Sequence, residues 1–298
     1  MRISKISRNY YGYFFITPFI LGFLLFGLYP VSNTVTLSFT NATLMSSKYD
    51  FIGIRNFQRL FSDDFFWTAV KNTWLLWICN FVPQIGIAML LSFWFTDVRL
   101  KIRGVGVWRT LFFLPNLLMP AAVASLYFSL FSFYGPVNQL LVRMGAMHEA
   151  FQFLSNETVA RSLVVFIQWW TWFGQTTIII MAGMTAIPVQ LYEAAMVDGA
   201  SGGQMFARIT LPLLKPILVY IFVTSLVGGM QMFDIPFLLT DGRGSPSSSI
   251  LTNNVLMYMR FSNAQGTIGT ASAVGVMVFL MTSVCALAIF YILRERNN

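Results

Sequence analysis

The sequence predicts an all-α membrane protein with six transmembrane helices. Three observations predict it: charge is scarce, the charges fall in clusters, and the stretches between clusters are continuously apolar. Of 298 residues, 56% are apolar and 10% charged, with 30 Phe and 16 Met. An ordinary soluble domain carries roughly 25% charge. So little polar surface does not cover a globule of this size, which excludes a disordered chain and argues against a soluble enzyme. Six charge-free intervals of 18 or more residues lie at 9–47, 72–96, 110–142, 162–192, 216–233 and 261–293. A helix of about 20 apolar residues crosses the ~30 Å hydrocarbon layer. The runs do not alternate as barrel strands do, so helices that satisfy their own backbone remain.

Taken in order, the spans fall near 11–31, 73–95, 111–133, 163–185, 217–239 and 270–292. The chain divides into an N-terminal helix with the first external loop (1–67), a transmembrane domain (68–293) and a cytoplasmic tail (294–298). Phe51-Ile52-Gly53-Ile54-Arg55-Asn56-Phe57 reads as a short amphipathic piece at the membrane interface. Asp63 and Asp64 are placed to start the helix that enters span two, where acidic residues suit the helix dipole. Loop 96–109 is short and basic, punctuated by Gly104 and Gly106. Loops 134–161 and 240–260 are external. The second holds Gly242, Gly244, Pro246 and a serine run, and reads as flexible.

An even span count puts both termini on one side. Lys and Arg number eleven on that side and eight on the other, which makes the termini cytoplasmic. The net charge of +8 is largely this orientation signal with some attraction to anionic lipid, and calls for no nucleic-acid partner. Arg2 and Lys5 ahead of an apolar run also suit a signal peptide. The run is too long, and no small-x-small site follows, so the expectation is a retained helix. Cys79 and Cys285 fall inside spans and read as small packing residues. His148 stands alone in an external loop, so no metal site is expected.

The internal loop 186–216 is different in kind. Pro188 suits a first helical turn. Good helix formers run to Asp198, and Gly199 supplies a left-handed terminator that needs φ > 0. Ser201 with Gln204 forms a capping box that starts a second helix, limited by Pro212 and Pro216, with Pro216 placed to open span five. The prediction is two short helices joined at a corner of small residues, Ala194, Ala195, Gly199 and Ala200, where another surface can approach the backbone closely.

Glu193-Ala194-Ala195, then Gly199-Ala200, Phe206, Ile209, Leu211-Pro212 and Pro216 resemble the cytoplasmic loop of binding-protein-dependent ABC importer permeases. The resemblance covers nearly the whole chain. Ile16-Thr17-Pro18-Phe19, Tyr29-Pro30, the 51–57 segment, Asp64-Phe65-Phe66-Trp67 and Gly269-Thr270-Ala271-Ser272-Ala273 are similar to the carbohydrate-type permeases (maltose, multiple-sugar and glycerol-3-phosphate). Phe233-Asp234 and Leu239-Thr240-Asp241-Gly242 through Pro246 resemble that type's FD…LTxGGP signature, departing from it at Arg243 and Ser245. The resemblance implies a type I importer permease fold whose loop helix is a coupling helix. It implies that Glu193, Ala194, Ala195, Asp198, Gly199 and Ala200 couple the chain to an ATP-binding subunit, with Glu193 meeting a basic group there; the alternative for Glu193 is a solvated helix charge. It also implies a second, paralogous permease, two ATP-binding subunits or domains, an extracytoplasmic solute-binding protein, and a bacterial or archaeal plasma membrane.

The energy source is not in this chain. None of the five lysines follows a glycine, so there is no phosphate-binding Gly-x-x-x-x-Gly-Lys loop. No cofactor is expected here, ATP and Mg belonging to the partner subunit, and no catalytic residue is assigned. An ion-coupled carrier, the rival class, needs ionisable groups inside the membrane. Asp234 alone falls within a span, 18 residues past Pro216, which on a continuous helix is roughly 27 Å and near the outer end. It reads either as a solvated helix-end carboxylate or as a contact for solute or binding protein.

Uncharged polar residues at mid-depth are the candidate translocation path. Gln168, Trp172 and Gln175 share one helix face, as do Asn80 and Gln84. Met230 and Gln231 follow Gly228-Gly229, where span five is expected to loosen, and Asp234 completes the set. Amides in hydrocarbon are costly unless they bond another helix or line water. Interhelical hydrogen bonding is therefore the alternative for each. Amides suit hydroxyls and indole faces suit the C–H faces of a sugar. Trp169 and Trp170 read as packing or lipid-facing. No Arg or Lys lies in a span, which favours an uncharged solute. The reading is a permease subunit for a sugar or oligosaccharide. The alternatives are the same fold importing a polyol or glycerol phosphodiester, and an ion-coupled secondary carrier. A membrane hydrolase lacks a nucleophile–His or metal arrangement.

Overall fold

The computed structural model describes residues 5–45, 48–97, 100, 102–262 and 267–293. The tail 294–298 and the basic residues Arg2, Arg99, Lys101, Arg294 and Arg296 lie outside them. Fourteen α-helices, two π-turns and two short 3-10 turns make up the described chain, which has no strand beyond one isolated bridge. The chain divides into two compact units, residues 1–63 with 257–277, and residues 64–256 with 278–298.

In the first unit α1 (Lys5–Phe23), a π-turn (Leu24–Leu28) and α2 (Tyr29–Ser38) form one rod. It exposes large side chains along its length, among them Phe14, Phe15, Phe19 and Phe26. The π-turn ends two residues before Pro30. The wider turn relieves the clash between a proline ring and the preceding turn, so the helix continues through it. The end of α2 is capped by the buried Asn56, at the start of α3 (Arg55–Phe61). Its amide donates to the Ser38 carbonyl at 2.9 Å and the Thr40 carbonyl at 2.7 Å. Gly269 packs against the same turn: a Cβ there would lie 2.2 Å from the Thr40 carbonyl oxygen. Asp63 pairs with Arg260.

The second unit is built on α4 (Asp64–Thr96) and α8 (Glu157–Thr185). Asp64 opens α4 and Asn156 caps α8, accepting from the Val159 N–H. The two run parallel. Asn72 meets Arg161 near one end, Gln84 meets Thr176 in the middle, and Thr96 meets Met184 at the other end. Parallel neighbours require the chain between them to cross back once. That return is α5 (Val105–Phe113) and α6 (Pro120–Leu130), joined by a 3-10 turn and bent by 89°. The continuous third span expected at 111–133 is thus corrected to a broken one. Pro115 and Pro120 each lack a donor, and Met119 between them is extended at ψ 130°. The bend seats α5 tightly on α8: a Cβ at Gly174 would lie 1.8 Å from the Phe112 carbonyl oxygen. Counting the bent pair as one, six segments among the described residues are long and apolar enough to span a membrane. α7 (Pro136–Arg143) lies in the 134–161 connection.

Span five also departs from a plain rod. α10 (Gly202–Met205), a π-turn (Phe206–Thr210) and α11 (Leu211–Met230) run on without interruption. The second hairpin helix therefore does not stop at Pro212. As at Pro30, a π-turn ends two residues before the proline and absorbs it. The rod stops instead at Met230, turns through Gln231–Phe233 and restarts as α12 (Asp234–Leu239). α13 (Asn253–Ser262) and α14 (Ile268–Leu293) complete the helices. One buried cluster joins Leu76, Val123, Leu163, Ile167, Ile235 and Ile250; another joins Trp77, Phe81, Ala88, Ile180, Leu214 and Met230.

Candidate functional site

Asn80, Gln84, Gln168, Trp172, Gln175, Gln231 and Asp234 line one cavity of about 410 Å³. The eighth candidate, Met230, is 1% exposed and packs in the core with Trp77 and Phe81, because the helix still has its regular phase there and turns only one residue later. The cavity lies among α4, α8, α11 and the two breaks, at the 3-10 turn before α6 and at Gln231–Phe233. Local sequence explains each wall. Residues 77, 80 and 84 share one face of α4, and 168, 171, 172 and 175 share one face of α8. Gly229 lets α11 close on α4, since a Cβ there would lie 2.1 Å from Trp77 Cδ1.

The amides divide by role. Gln84 donates from Nε2 to Thr176 Oγ1 at 2.7 Å, across to α8, and is 5% exposed. It both lines the cavity and ties its walls together. Asn80 donates to the Leu76 carbonyl of its own helix at 2.9 Å. Trp77 Nε1 donates to Ser225 Oγ at 3.1 Å, joining α4 to α11. Asp234 is the first residue of the short α12. The helix break brings it to the cavity, so the 27 Å rise expected of a continuous helix does not apply. Among the described residues no Lys, Arg or His lines the cavity, and Asp234 is its one charged residue.

Sequence reasoning missed Trp77, Asn116, Thr171, Tyr220, Thr224 and Ser225, which also line it. The signal was present. Trp77 shares the Asn80 and Gln84 face, and Asn116 is a lone amide between Pro115 and Pro120 in an apolar run.

The hairpin is built by local rules. α9 (Val189–Val197) starts after Pro188, which occupies the N-cap position just outside the first turn and makes no side-chain cap. It ends with Gly199 at φ +77°: the Gly199 N–H bonds the Met196 carbonyl and the Ala200 N–H bonds the Ala195 carbonyl at 2.8 Å. Ser201 and Gln204 form a reciprocal capping box. Tyr192 and Thr210 hydroxyls join the two arms at 2.8 Å. No residue of α9 is buried; Leu191 and Met196 are exposed and Val197 is 88% exposed. Glu193, Ala194, Asp198 and Gly199 are exposed, while Ala195 and Ala200 are half-buried. Behind α9 lies a cavity of about 350 Å³ lined by Asp97, Tyr192, Glu193 and Met205, among others.

The 240–254 segment corrects the expectation of a flexible loop. Ser249, Ile250, Leu251, Thr252 and Asn253 are all buried. The amide of Asn72 donates to the Ser248 carbonyl at 2.7 Å and the Leu251 carbonyl at 3.2 Å. Arg161 Nε donates to the Ser249 carbonyl at 2.9 Å and Nη2 to Asn72 Oδ1 at 3.4 Å. Thr73 Oγ1 accepts from the Asn253 N–H at 3.0 Å. Polar side chains on α4 and α8 thus hold the segment down as a strap, and only its tip, including Asp241, Arg243 and Ser247, is exposed.

A sequence profile of the inner-membrane components of binding-protein-dependent transport systems matches residues 72–297. The chain belongs to that family. It is 32% identical over 296 residues to the lactose transport system permease protein of Rhizobium radiobacter, covering 99% of this chain and 98% of the relative. It is 30% identical over 286 residues to the arabinooligosaccharides transport system permease protein of Bacillus subtilis, covering 94% and 88%. The structure superposes on a chain of the bacterial alginate ABC transporter, solved with an alginate pentasaccharide-bound periplasmic protein. The TM-score is 0.81 at 25% identity, with 99% and 98% of the two chains covered. The chain is thus a multi-pass membrane permease with the ABC importer fold, and its family is one of transport subunits rather than enzymes. Among the described residues no group of three or more His, Cys, Asp or Glu could hold a metal ion.

Proposed function

We propose that this chain is one transmembrane half of an ATP-driven importer for a neutral sugar or oligosaccharide. One observation carries the cargo: a cavity inside the bundle lined by amides, hydroxyls, aromatic rings and the Asp234 carboxylate, with no cation among the described residues. Amides and hydroxyls exchange hydrogen bonds with sugar hydroxyls, and the Trp77, Trp172 and Tyr220 rings offer apolar faces to sugar C–H groups. The sugar cargoes of the relatives support the same class.

The chain pairs with a second permease, and a binding protein delivers solute at the strap side, outside the cell. Two ATP-binding subunits, which hold ATP and Mg, dock on the hairpin in the cytoplasm, where both termini also lie. Glu193, Ala194, Ala195, Asp198, Gly199 and Ala200 form the coupling contact. An exposed apolar helix closed by a tight glycine corner supports this role, because such a surface gains free energy when a partner covers it. The membrane is bacterial or archaeal. The test is reconstitution of the complete complex in proteoliposomes with labelled neutral di- and trisaccharides. Uptake is expected to need both ATP and the loaded binding protein. Uptake by this chain alone on a proton or sodium gradient would replace the proposal with a secondary carrier.

A further inference from the structure

The break in span five exposes a length of backbone that a helix would have hidden. Gln231, Met232 and Phe233 all face the cavity, so the shape of its wall depends on what holds this turn. The Phe233 carbonyl accepts from the Phe237 N–H of α12, while the Gln231 and Met232 carbonyls lie past the end of α11, where the last acceptors have no partner within the helix. Two ties reach them from the end of the strap. Thr252 Oγ1 donates to the Met232 carbonyl at 2.8 Å, and Asn254 Nδ2 donates to the Gln231 carbonyl at 2.9 Å. The strap is in turn fixed to α4 by Asn72 and Thr73 and to α8 by Arg161. The solute-facing turn is therefore referenced to two other walls of the same cavity as well as to its own helix, which it meets through the Gln231 and Met232 N–H groups.

We propose that Thr252 and Asn254 are positioning residues for solute passage: they hold the unwound turn of span five at the distance from α4 and α8 at which the cavity grips a sugar. This rests on the functional reading above. Neither residue lines the cavity; each acts through a main-chain carbonyl. Loss of either tie frees the turn by one hydrogen bond and loosens the grip without touching the hairpin. ATP turnover then continues while solute slips.

The measurement is the number of sugar molecules imported per ATP hydrolysed, in the complete reconstituted complex. The probe is the neutral disaccharide or trisaccharide that the unaltered complex imports fastest. Asn254→Asp keeps the shape and removes the donor. Thr252→Val does the same, but also removes the cap that Thr252 gives α13 by accepting from the Val255 N–H. Thr252→Ser keeps both. We expect Asn254→Asp and Thr252→Val each to lower the ratio about fivefold, the loss of one hydrogen bond of ~1 kcal/mol. ATPase stimulated by loaded binding protein should stay near its unaltered rate, and Thr252→Ser should restore the ratio. Asn253→Leu serves as the packing control. Both Asn253 amide atoms are buried without a hydrogen-bond partner, and the change leaves both ties in place, so its ratio should be unaltered. An unchanged ratio in Asn254→Asp and Thr252→Val would overturn the proposal. So would an equal fall in ATPase and import, or a fall in Asn253→Leu as large as theirs. Absence of ATP-driven sugar import by the unaltered complex would instead sink the functional reading, and this inference with it.

Discussion

The hairpin at 188–210 and the strap at 240–254 are both connections rich in small residues, and they are built in opposite ways. The hairpin is held by its own sequence: a glycine terminator, a capping box and one bond between its arms. It leaves apolar side chains in the open, with Val197 88% exposed. The strap is held by residues far away in sequence, Asn72, Thr73 and Arg161, and buries its apolar side chains, with Leu251 at 0%. A connection that finishes its own structure and still shows apolar surface has area left for a partner to cover, which is the role proposed for the hairpin. A connection whose structure is finished by the rest of the bundle is part of the wall.

The same substitution in the two regions gives the largest contrast. Leu251→Asp places a carboxylate in a buried apolar site and should destabilise the purified chain by on the order of 4 kcal/mol. Val197→Asp should leave its thermal unfolding within about 0.5 kcal/mol, yet lower co-purification of the ATP-binding subunit at least tenfold. Equal effects in the two assays would erase the distinction. Next is Gly199→Val, which forces a β-branched residue to φ +77° at a cost of about 2 kcal/mol in local strain. The chain should remain in the membrane while ATP-driven uptake falls to background. Asn72→Ala orphans two strap carbonyls and should lower stability by about 2 kcal/mol, read by thermal unfolding, with the hairpin's partner binding unchanged. The smallest effect is Ser201→Ala, about 1 kcal/mol of capping, read as faster hydrogen exchange at residues 202–205.

The same contrast explains what the sequence made legible. The spans and the hairpin were readable because hydropathy, glycine corners and capping boxes act within a few residues. The strap was not, because its glycines and serines describe local freedom while the bonds that remove it come from helices more than 80 residues away. The third span misled for a related reason: hydropathy is blind to the bend that Pro115 and Pro120 impose. Helix-face arithmetic brought Asn80, Gln84, Gln168, Trp172 and Gln175 to one cavity, and the glycine pair at 228–229 pointed to Gln231 but also to Met230, where the rod had not yet turned. It also missed residues such as Tyr220 and Asn116, whose membership depends on how separate helices come together.

The central claim is that a foreign protein covers the hairpin. Hydrogen exchange of residues 189–200, compared between the isolated permease and the assembled, ATP-binding complex, tests it most directly. The account predicts strong protection of α9 on assembly, changing further through the ATP cycle. Exchange at the isolated rate in every state of the complex would contradict it.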